Sequence, residues 1–240
     1  GHKKVFKYHT TAGSFIGTED HEVFENGQKI EVGKAQKIDT CHANEAISTE
    51  ISPQDVMDGL VVGDGSVHKA SDNKVYLNVG ESDQDYFQSE VAELIGEDSK
   101  INDFAYLIET TITEDELPKT YNRDVPERFF AGDVNTVAGF LRGLYSANGS
   151  VVNGRVTLKA SSFDVIEKVQ QMLSFLGIRS YYTTNNPEDV EHRNGTYRSK
   201  KSYDLNITSD RERFRDLIGF IQGYKEKTLE RFCEDINPMV

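Results

Sequence analysis

Two nearly identical stretches, GLVVGDGSV at residues 59–67 and GLYSANGSV at residues 143–151, indicate that the chain contains one folding unit twice. The copies lie 84 residues apart and share five of nine positions, with Asp64 in the first replaced by Asn148 in the second. Each copy precedes a hairpin turn and an alternating segment, KVYLNV from Lys74 and RVTLKA from Arg155. This recurring order of motif, turn and strand is typical of an internal repeat.

Helical periodicity completes each repeat. The segments SPQDVMDGLVVGDG from Ser52 and NTVAGFLRGLYSANG from Asn135 predict helices that end in the motif. A second helix is predicted in each repeat, as DYFQSEVAELIG from Asp85 and as FDVIEKVQQMLSFLG from Phe163. Both of these end on a glycine, which is typical of a helix C-terminus.

Glycines inside the two motif helices predict how these helices pack. Gly59 and Gly143 lower helix stability relative to alanine. Two helices that cross closely need small residues at the contact, so we predict that backbone meets backbone at these positions. The crossing would bring Asp64 and Asn148 side by side.

The strand segments predict a sheet face that can bind a ligand. Alternate residues point to opposite faces, so the apolar positions face the helices and the polar ones form an open face. Mixed basic, amide and hydroxyl groups suit the reading of base edges in a DNA major groove. The alternative is an ordinary solvated sheet face. The predicted DNA-binding residues are Lys74, Tyr76, Asn78, Arg155, Thr157 and Lys159, with Arg198, Lys200 and Ser202 on a strand predicted over residues 196–207.

Composition limits the setting and the partners. The chain has 240 residues and a net charge of -13, which disfavours a nucleic-acid partner when taken as one number. Residues 1–120 carry 10 Lys and Arg against 24 Asp and Glu, whereas residues 121–240 carry 17 against 16, so the second repeat is the better partner for a polyanion. We expect a cytoplasmic, reducing setting, because Cys41 and Cys233 form no disulfide framework or zinc spacing and no membrane span is evident.

The two motifs resemble those of the LAGLIDADG homing endonucleases. MDGLVVGDG at residues 57–65 and LRGLYSANG at residues 141–149 match that family's motif, and the resemblance covers roughly residues 50–230. It implies an α+β fold of two αββαββ repeats that forms a pseudo-two-fold monomer. In that family saddle-shaped antiparallel sheets cover double-stranded DNA, and divalent metal at the motif ends supports phosphodiester hydrolysis.

Carried over residue by residue, the resemblance implies a metal centre at the end of each motif. Asp64 with the carbonyl of Gly63, and Asn148 with the carbonyl of Ala147, would bind Mg²⁺ or Mn²⁺. The family pattern has Asp where this chain has Asn148. A neutral amide is a poorer ligand for a hard cation than a carboxylate. We therefore expect cleavage that is impaired, restricted to one strand, or absent.

The family also places a basic residue near each metal centre. Arg179, just after the helix that ends at Gly177, is the candidate in the second repeat. The aligned position of the first repeat is Asp98, an acid, so Lys100 is the candidate there.

Residues 1–45 stand outside the repeat and resemble part of an intein splicing domain. Thr18 and His21, followed by strand, turn at Asn26 and strand, match the intein block that assists the first acyl shift. The stretch TEDHEVFENGQKIE at residues 18–31 and the second motif most resemble inteins of ribonucleotide reductases. The ends GHKKVF and EDINPMV lack the splicing nucleophiles, so self-splicing is not expected. The predicted domains are residues 1–45, 46–130 and 131–240.

Three functions remain open from the sequence. The first is the endonuclease of an intein, acting as a monomer on double-stranded DNA at the intein insertion site. The second is a catalytically inactive DNA-binding remnant that supports the intein structure. The third is an RNA-binding maturase of the same fold.

Overall fold

The computed structural model describes residues 2–40, 51–68, 74–78, 91, 100–102, 105–192 and 195–234. Four short strands come first: β1 (Val5–Thr10), β2 (Gly13–Thr18), β3 (Glu22–Glu25) and β4 (Gln28–Glu31). The first repeat contains α1 (Pro53–Asp64), β5 (Gly65–His68), β6 (Lys74–Asn78), β7 (Lys100–Asn102) and β8 (Ala105–Leu107). A 3-10 turn at Thr120–Asn122 and α2 (Glu127–Phe130) connect it to the second repeat.

The second repeat begins with α3 (Val134–Asn148), β9 (Gly149–Val152), β10 (Arg155–Ala160), α4 (Phe163–Phe175) and β11 (Tyr181–Asn185). It continues with β12 (Asp189–His192), β13 (Gly195–Arg198) and β14 (Ser202–Ile207), and ends with α5 (Arg211–Leu217) and α6 (Gly223–Glu234). The helix predicted over residues 85–96 lies outside the described residues, apart from position 91. None of the helices seen in the described ranges is both long and apolar enough to cross a membrane.

The motif helices α1 and α3 pack against each other at the predicted glycines. A Cβ atom added to Gly59 would lie 2.1 Å from the carbonyl oxygen of Phe140, and one added to Gly143 would lie 1.9 Å from that of Val56. Neither site has room for a side chain. The prediction that backbone meets backbone at this crossing is confirmed.

The two repeats contain antiparallel sheets with equivalent strand order. The first sheet has the order β5-β6-β8-β7 and the second has the order β9-β10-β14-β11, so the strand after each motif helix lies at one edge. In both sheets the second strand pairs with the first through a hairpin. At the β9–β10 turn Asn153 and Gly154 have φ angles of 49° and 71°, which suits the predicted two-residue hairpin. The predicted α+β fold with antiparallel sheets is confirmed.

The alternation predicted for the strands places apolar side chains under the helices. Val75 and Leu77 of β6 are buried, as are Val156 and Leu158 of β10. They join the apolar residues of α1, α3 and α4 in one core. The opposite positions of β10 are half-buried or exposed, which leaves a polar face on the second sheet.

The single strand predicted over residues 196–207 is wrong. Residues 195–198 form β13, which pairs with β12 in a separate two-stranded hairpin, and β14 starts only at Ser202. The amide of Ser199 donates to the carbonyl of Glu188, which closes the small hairpin and interrupts the strand. Arg198 and Lys200 are therefore not on the strand that carries Ser202.

The strand, turn and strand predicted after His21 are present, and the hairpin of β1 and β2, which was not predicted, contacts the second repeat. Asn26 and Gly27 have positive φ angles in the turn between β3 and β4. The hairpin of β1 and β2 packs on α4, where Glu167 accepts from Lys7 Nζ at 2.7 Å and from Ser14 Oγ at 2.8 Å. The division at residue 45 stays a prediction.

Candidate nucleic-acid interface

The crossing of α1 and α3 brings the ends of both motifs to one cavity. Asp64 is the last residue of α1 and Asn148 is the last residue of α3, and both line a cavity of about 400 Å³. Gly63 lies beside the second motif, because a Cβ there would be 3.4 Å from Asn148 Nδ2. Lys159, at the end of β10, lines the same cavity.

Arg123 is the cation at the end of α1, and it was not among the residues predicted from the sequence. Its Nη1 donates to the carbonyl oxygens of Val62 at 2.6 Å and Gly63 at 3.1 Å, and its Nη2 donates to that of Gly65 at 2.8 Å. These are carbonyls at a helix C-terminus, where a cation is favourable. Its Nε donates to the carbonyl of Pro118 at 3.3 Å, which fixes the guanidinium from the other side.

Burial and charge act in opposite directions on Arg123. Burial lowers the pKa of its guanidinium from the ordinary value, and the nearby Asp64 carboxylate opposes that shift. Arginine keeps its proton in proteins, so the group remains a cation. Asp64 therefore faces a fixed positive charge supplied by the chain.

The end of α3 is capped in a related way. The carbonyl of Ser146, which corresponds to Val62 in the repeat, accepts from Lys225 Nζ at 2.7 Å and from Gln222 Nε2 at 2.9 Å. The hydroxyl of Ser146 accepts from the amide of Ile221 at 2.9 Å. In both repeats, a segment that follows the sheet in sequence places a cation against the carbonyls at the end of the motif helix.

The residues at the cavity do not fit the two-metal centre that the resemblance implies. Asp64 is the single acid among the described residues that line the cavity, and the described ranges hold no cluster of three His, Cys, Asp or Glu side chains suited to a metal. The Gly63 carbonyl, expected to bind metal, instead accepts from Arg123. Hard cations prefer several oxygen ligands, with carboxylates foremost. In the second half, the expected ligands are the neutral amide of Asn148 and the carbonyl of Ala147, and neither brings a negative charge.

The structure does not bring Arg179 to this cavity. Arg179 makes a two-point ion pair with Asp210, with Nε to Oδ2 and Nη2 to Oδ1 both at 3.0 Å, and its amide also donates to Oδ2. The pair lines a separate cavity next to Gly177. The carboxylate at the start of α5 holds Arg179 there, so its predicted place beside the motif ends is wrong. For Lys100 the structure describes the backbone alone, at the start of β7.

The polar face of the second sheet carries three of the six DNA-binding residues predicted for that repeat. Arg155, Thr157 and Lys159 share one face of β10, and Thr157 donates to Asn206 Oδ1 at 2.9 Å. The paired register adds Tyr181 of β11 to this face, where it lies opposite Asn206. Hydrogen bonds from Arg155 and Thr208 lower the pKa of the Tyr181 hydroxyl. Tyr181 was not among the predicted DNA-binding residues, because no strand was predicted at β11.

The remaining predicted positions are more scattered. Ser202 is buried, with 8% of its surface exposed, so its predicted exposure is wrong. Arg198 lies on the small hairpin, where its Nη1 is 3.6 Å from Asp189 Oδ1. Lys200 is exposed with its Nζ 4.0 Å from the ring centre of Tyr121. In β6 Asn78 is exposed, whereas only the backbone of Lys74 and Tyr76 is described.

The predicted splicing residues lie together at the turn between β2 and β3. The amide of His21 donates to the carbonyl of Thr18 at 3.1 Å, and the His21 ring lies 5.7 Å from that of Phe15. Their role in splicing stays a prediction.

Two helices thus end at a shared cavity, and each is followed by an antiparallel sheet. In a comparison with known protein families, residues 135–237 match the LAGLIDADG-like domain.

Comparison with individual proteins finds distant similarity. A probable translation initiation factor IF-2 of Pyrococcus horikoshii is 28% identical over 174 residues, which are 68% of this chain and 15% of that protein. The chain thus spans only a small part of that relative. Among solved structures, the homing endonuclease I-DmoI in complex with DNA and calcium is 20% identical, with a TM-score of 0.44 over 75% of this chain and 97% of that one. Full-length DUF199/WhiA from Thermatoga maritima is 15% identical, with a TM-score of 0.41 over 79% of this chain and 63% of that one.

Proposed function

We propose that the chain binds a long double-stranded DNA site as a monomer and is the homing endonuclease region of an intein with impaired cleavage. The observation that carries this proposal is the crossing at Gly59 and Gly143, which brings Asp64 and Asn148 to one cavity. An arrangement in which two related halves meet at one site suits a duplex, whose two strands run in opposite directions.

The second sheet supports duplex binding. Arg155, Thr157 and Lys159 offer donors and acceptors on one face, and Tyr181 extends that face on the edge strand. Such a face can contact base edges in the major groove, while the basic side chains also neutralise phosphates. The half of the chain that contains the first repeat is acidic, with 10 Lys and Arg against 24 Asp and Glu in residues 1–120, whereas residues 121–240 have 17 against 16. We infer that the second repeat provides most of the affinity.

The motif ends support impaired chemistry. Phosphodiester hydrolysis by two metals requires charge at both scissile phosphates. Asn148 removes the carboxylate from one half, and Arg123 binds the Gly63 carbonyl in the other. The expected activity is therefore nicking or none. We propose that any remaining cleavage uses Mg²⁺ or Mn²⁺ as its cofactor.

The intein origin rests on the amino-terminal segment and on one comparison. An intein lies inside a host protein of unrelated function, so similarity restricted to 15% of a translation factor supports an inserted element. The proposal of a ribonucleotide reductase host rests only on the similarity of residues 18–31 and of the second motif to inteins of that protein. The target would be the insertion site of the uninterrupted host gene.

A plasmid assay tests this function. A supercoiled plasmid carrying the uninterrupted ribonucleotide reductase gene is incubated with the protein and Mg²⁺ or Mn²⁺, with Asp64→Asn as the matched control. Nicked DNA that disappears in the control supports an impaired enzyme whose remaining metal centre is at Asp64, and it would contradict exclusion of the metal by the Arg123 guanidinium. Linear DNA would contradict the impairment, and absence of binding to duplex DNA would contradict the function itself.

A non-catalytic DNA-binding role is the second candidate, and the contact between Arg123 and Gly63 favours it. Binding of the site without any nicking, in both metals, would select this role. A gel shift that compares the duplex with RNA of matching sequence tests the RNA-binding maturase, because preference for RNA would contradict both DNA proposals.

A further inference from the structure

The end of α1 holds a cation that belongs to the chain. The Arg123 guanidinium makes hydrogen bonds to three carbonyls at this helix end and to Pro118, so its position is fixed by four bonds. The bonded carbonyls of Gly63 and Gly65 flank Asp64 on both sides. A divalent cation bound by Asp64 and the Gly63 carbonyl would have to displace the guanidinium or share the oxygen with it.

The charge of the cavity favours an anion. Arg123 and Lys159 contribute two positive charges to its lining, whereas Asp64 contributes one negative charge. Like charges repel strongly where water is partly excluded, so Arg123 disfavours entry of a divalent cation. The same charge attracts a phosphate, and arginine and lysine are the usual partners of DNA phosphates.

We propose that Arg123 takes the place of a divalent metal ion in the first half of the cleft, so that a DNA backbone phosphate is held there by Arg123 and Lys159 without metal. This inference rests on the proposed DNA-binding function. It accounts for a Gly63 carbonyl and an Asp64 carboxylate that persist without forming a metal site, because both serve to hold and balance the guanidinium.

The two halves of the cleft then differ in kind. In the first half a carboxylate is present, but its carbonyl neighbour is bonded to a guanidinium. In the second half the capping cation Lys225 bonds to Ser146, one residue earlier than the carbonyl expected to bind metal, and the carboxylate is replaced by Asn148. A substitution that creates a metal site in one half therefore leaves the other half without one.

Metal binding by the DNA-free protein tests the exclusion of metal. Mn²⁺ titration, followed by the electron paramagnetic resonance signal of free Mn²⁺, compares the wild type with Asp64→Asn, Arg123→Met and Arg123→Met/Asp64→Asn. The control Arg231→Met removes an exposed arginine of α6. We expect the wild type and Asp64→Asn to bind equally weakly, and Arg123→Met to bind at least about tenfold more tightly through Asp64. Arg123→Lys keeps the charge and should bind no better than the wild type.

Three results would overturn the exclusion of metal. They are wild-type binding that is lost in Asp64→Asn, a folded Arg123→Met that gains no Asp64-dependent site, and Arg123→Lys that gains the same site as Arg123→Met. If Arg123→Met does not fold, as judged by circular dichroism, the wild type, Asp64→Asn and Arg123→Lys still decide the matter.

DNA binding tests the phosphate contact. Fluorescence anisotropy with a labelled duplex is measured in chelator and in Ca²⁺ at matched ionic strength. Wild-type affinity should be the same in both, whereas Arg123→Met should lose about tenfold in chelator and regain affinity in Ca²⁺. Wild-type binding that requires Ca²⁺ would overturn the proposal. Absence of wild-type binding in both conditions would instead refute the DNA-binding function, and the Mn²⁺ titration would still decide whether Arg123 excludes metal.

Discussion

Replacing Gly143 by alanine should destabilise the protein strongly because it separates the two motif helices. The added Cβ would lie 1.9 Å from the carbonyl oxygen of Val56 and 2.7 Å from the amide nitrogen of Leu60. Ordinary contacts begin near 3.4 Å, so the helices would have to move apart by about 1.5 Å at their closest point. Overpacking of a core usually costs about 1–3 kcal/mol of stability. The cost at Gly143 should reach or exceed the upper end of this range, because the atoms in contact belong to the backbone of α1 and cannot move independently.

The intrinsic preference of alanine for helices acts in the other direction. Alanine is favoured over glycine by about 1 kcal/mol in a helix interior, so we expect a net loss of at least about 2 kcal/mol for Gly143→Ala. For a chain of this size that corresponds to a drop of about 4–8 °C in the melting temperature. Thermal and urea unfolding followed by circular dichroism measure both quantities.

Gly139→Ala, in the same helix, is the matched control. A Cβ there would lie 2.8 Å from Ile51 Cγ2 and 3.0 Å from Asp55 Cβ, and the nearest backbone atom of the facing segment, the Ser52 carbonyl oxygen, is 3.8 Å away. This variant has the same gain in helix preference, so its stability should stay within about 1 kcal/mol of the wild type. Equal stability of Gly139→Ala and Gly143→Ala would refute the argument from backbone contact.

Asn148→Asp should tighten Mn²⁺ binding and increase nicking of the target plasmid, because it restores a carboxylate to the second half; unchanged Mn²⁺ affinity would argue against a metal site there. Lys159→Ala should weaken duplex binding and lower the slope of log affinity against log salt by about 0.9, whereas Lys34→Ala, on the amino-terminal segment, should change neither in the same anisotropy titration. Asp210→Asn should lower stability at pH 7, because the hydrogen bond from Arg179 holds the pKa of Asp210 below its usual range. That contribution is fully present above the unfolded-state pKa of about 3.9 and is lost as the pH falls through the lower folded value, so unfolding curves of the two proteins should converge in acid; a gap that persists would contradict it.

The repeat, the helix crossing and the sheet faces could be predicted because they depend on periodic signals. Gly59 and Gly143 occupy equivalent places in two helices, and a glycine that recurs against helix preference at the same place in both copies indicates a close contact between them. Val156 and Leu158 alternate on one strand, so their burial follows from strand geometry. The strand after residue 195 was predicted wrongly because β13 and β14 are both strands, and only the hairpin formed with β12 separates them.

The cations near the motifs could not be predicted because they depend on contacts between distant parts of the chain. Arg123 bonds to carbonyls about 60 residues earlier in the sequence, and no local pattern marks it as a helix cap. Arg179 was predicted from its position just after the helix that ends at Gly177, but its side chain pairs with the carboxylate of Asp210 and does not reach the motif ends. Positional analogy gives the location of a backbone segment, whereas the direction of a long side chain depends on which opposite charge lies within reach.

The contact at the helix crossing also limits how the protein can change in evolution. Each glycine lies against carbonyl oxygens and amide nitrogens of the backbone, so no substitution in the facing helix can make room for a larger residue. The charge at a motif end has no such constraint, because Asp64 and Asn148 occupy equivalent places and neither takes part in the contact between the glycines and the facing backbone. The two glycines have no such freedom, and a lineage in which catalysis has decayed should therefore keep both of them after the acids are gone.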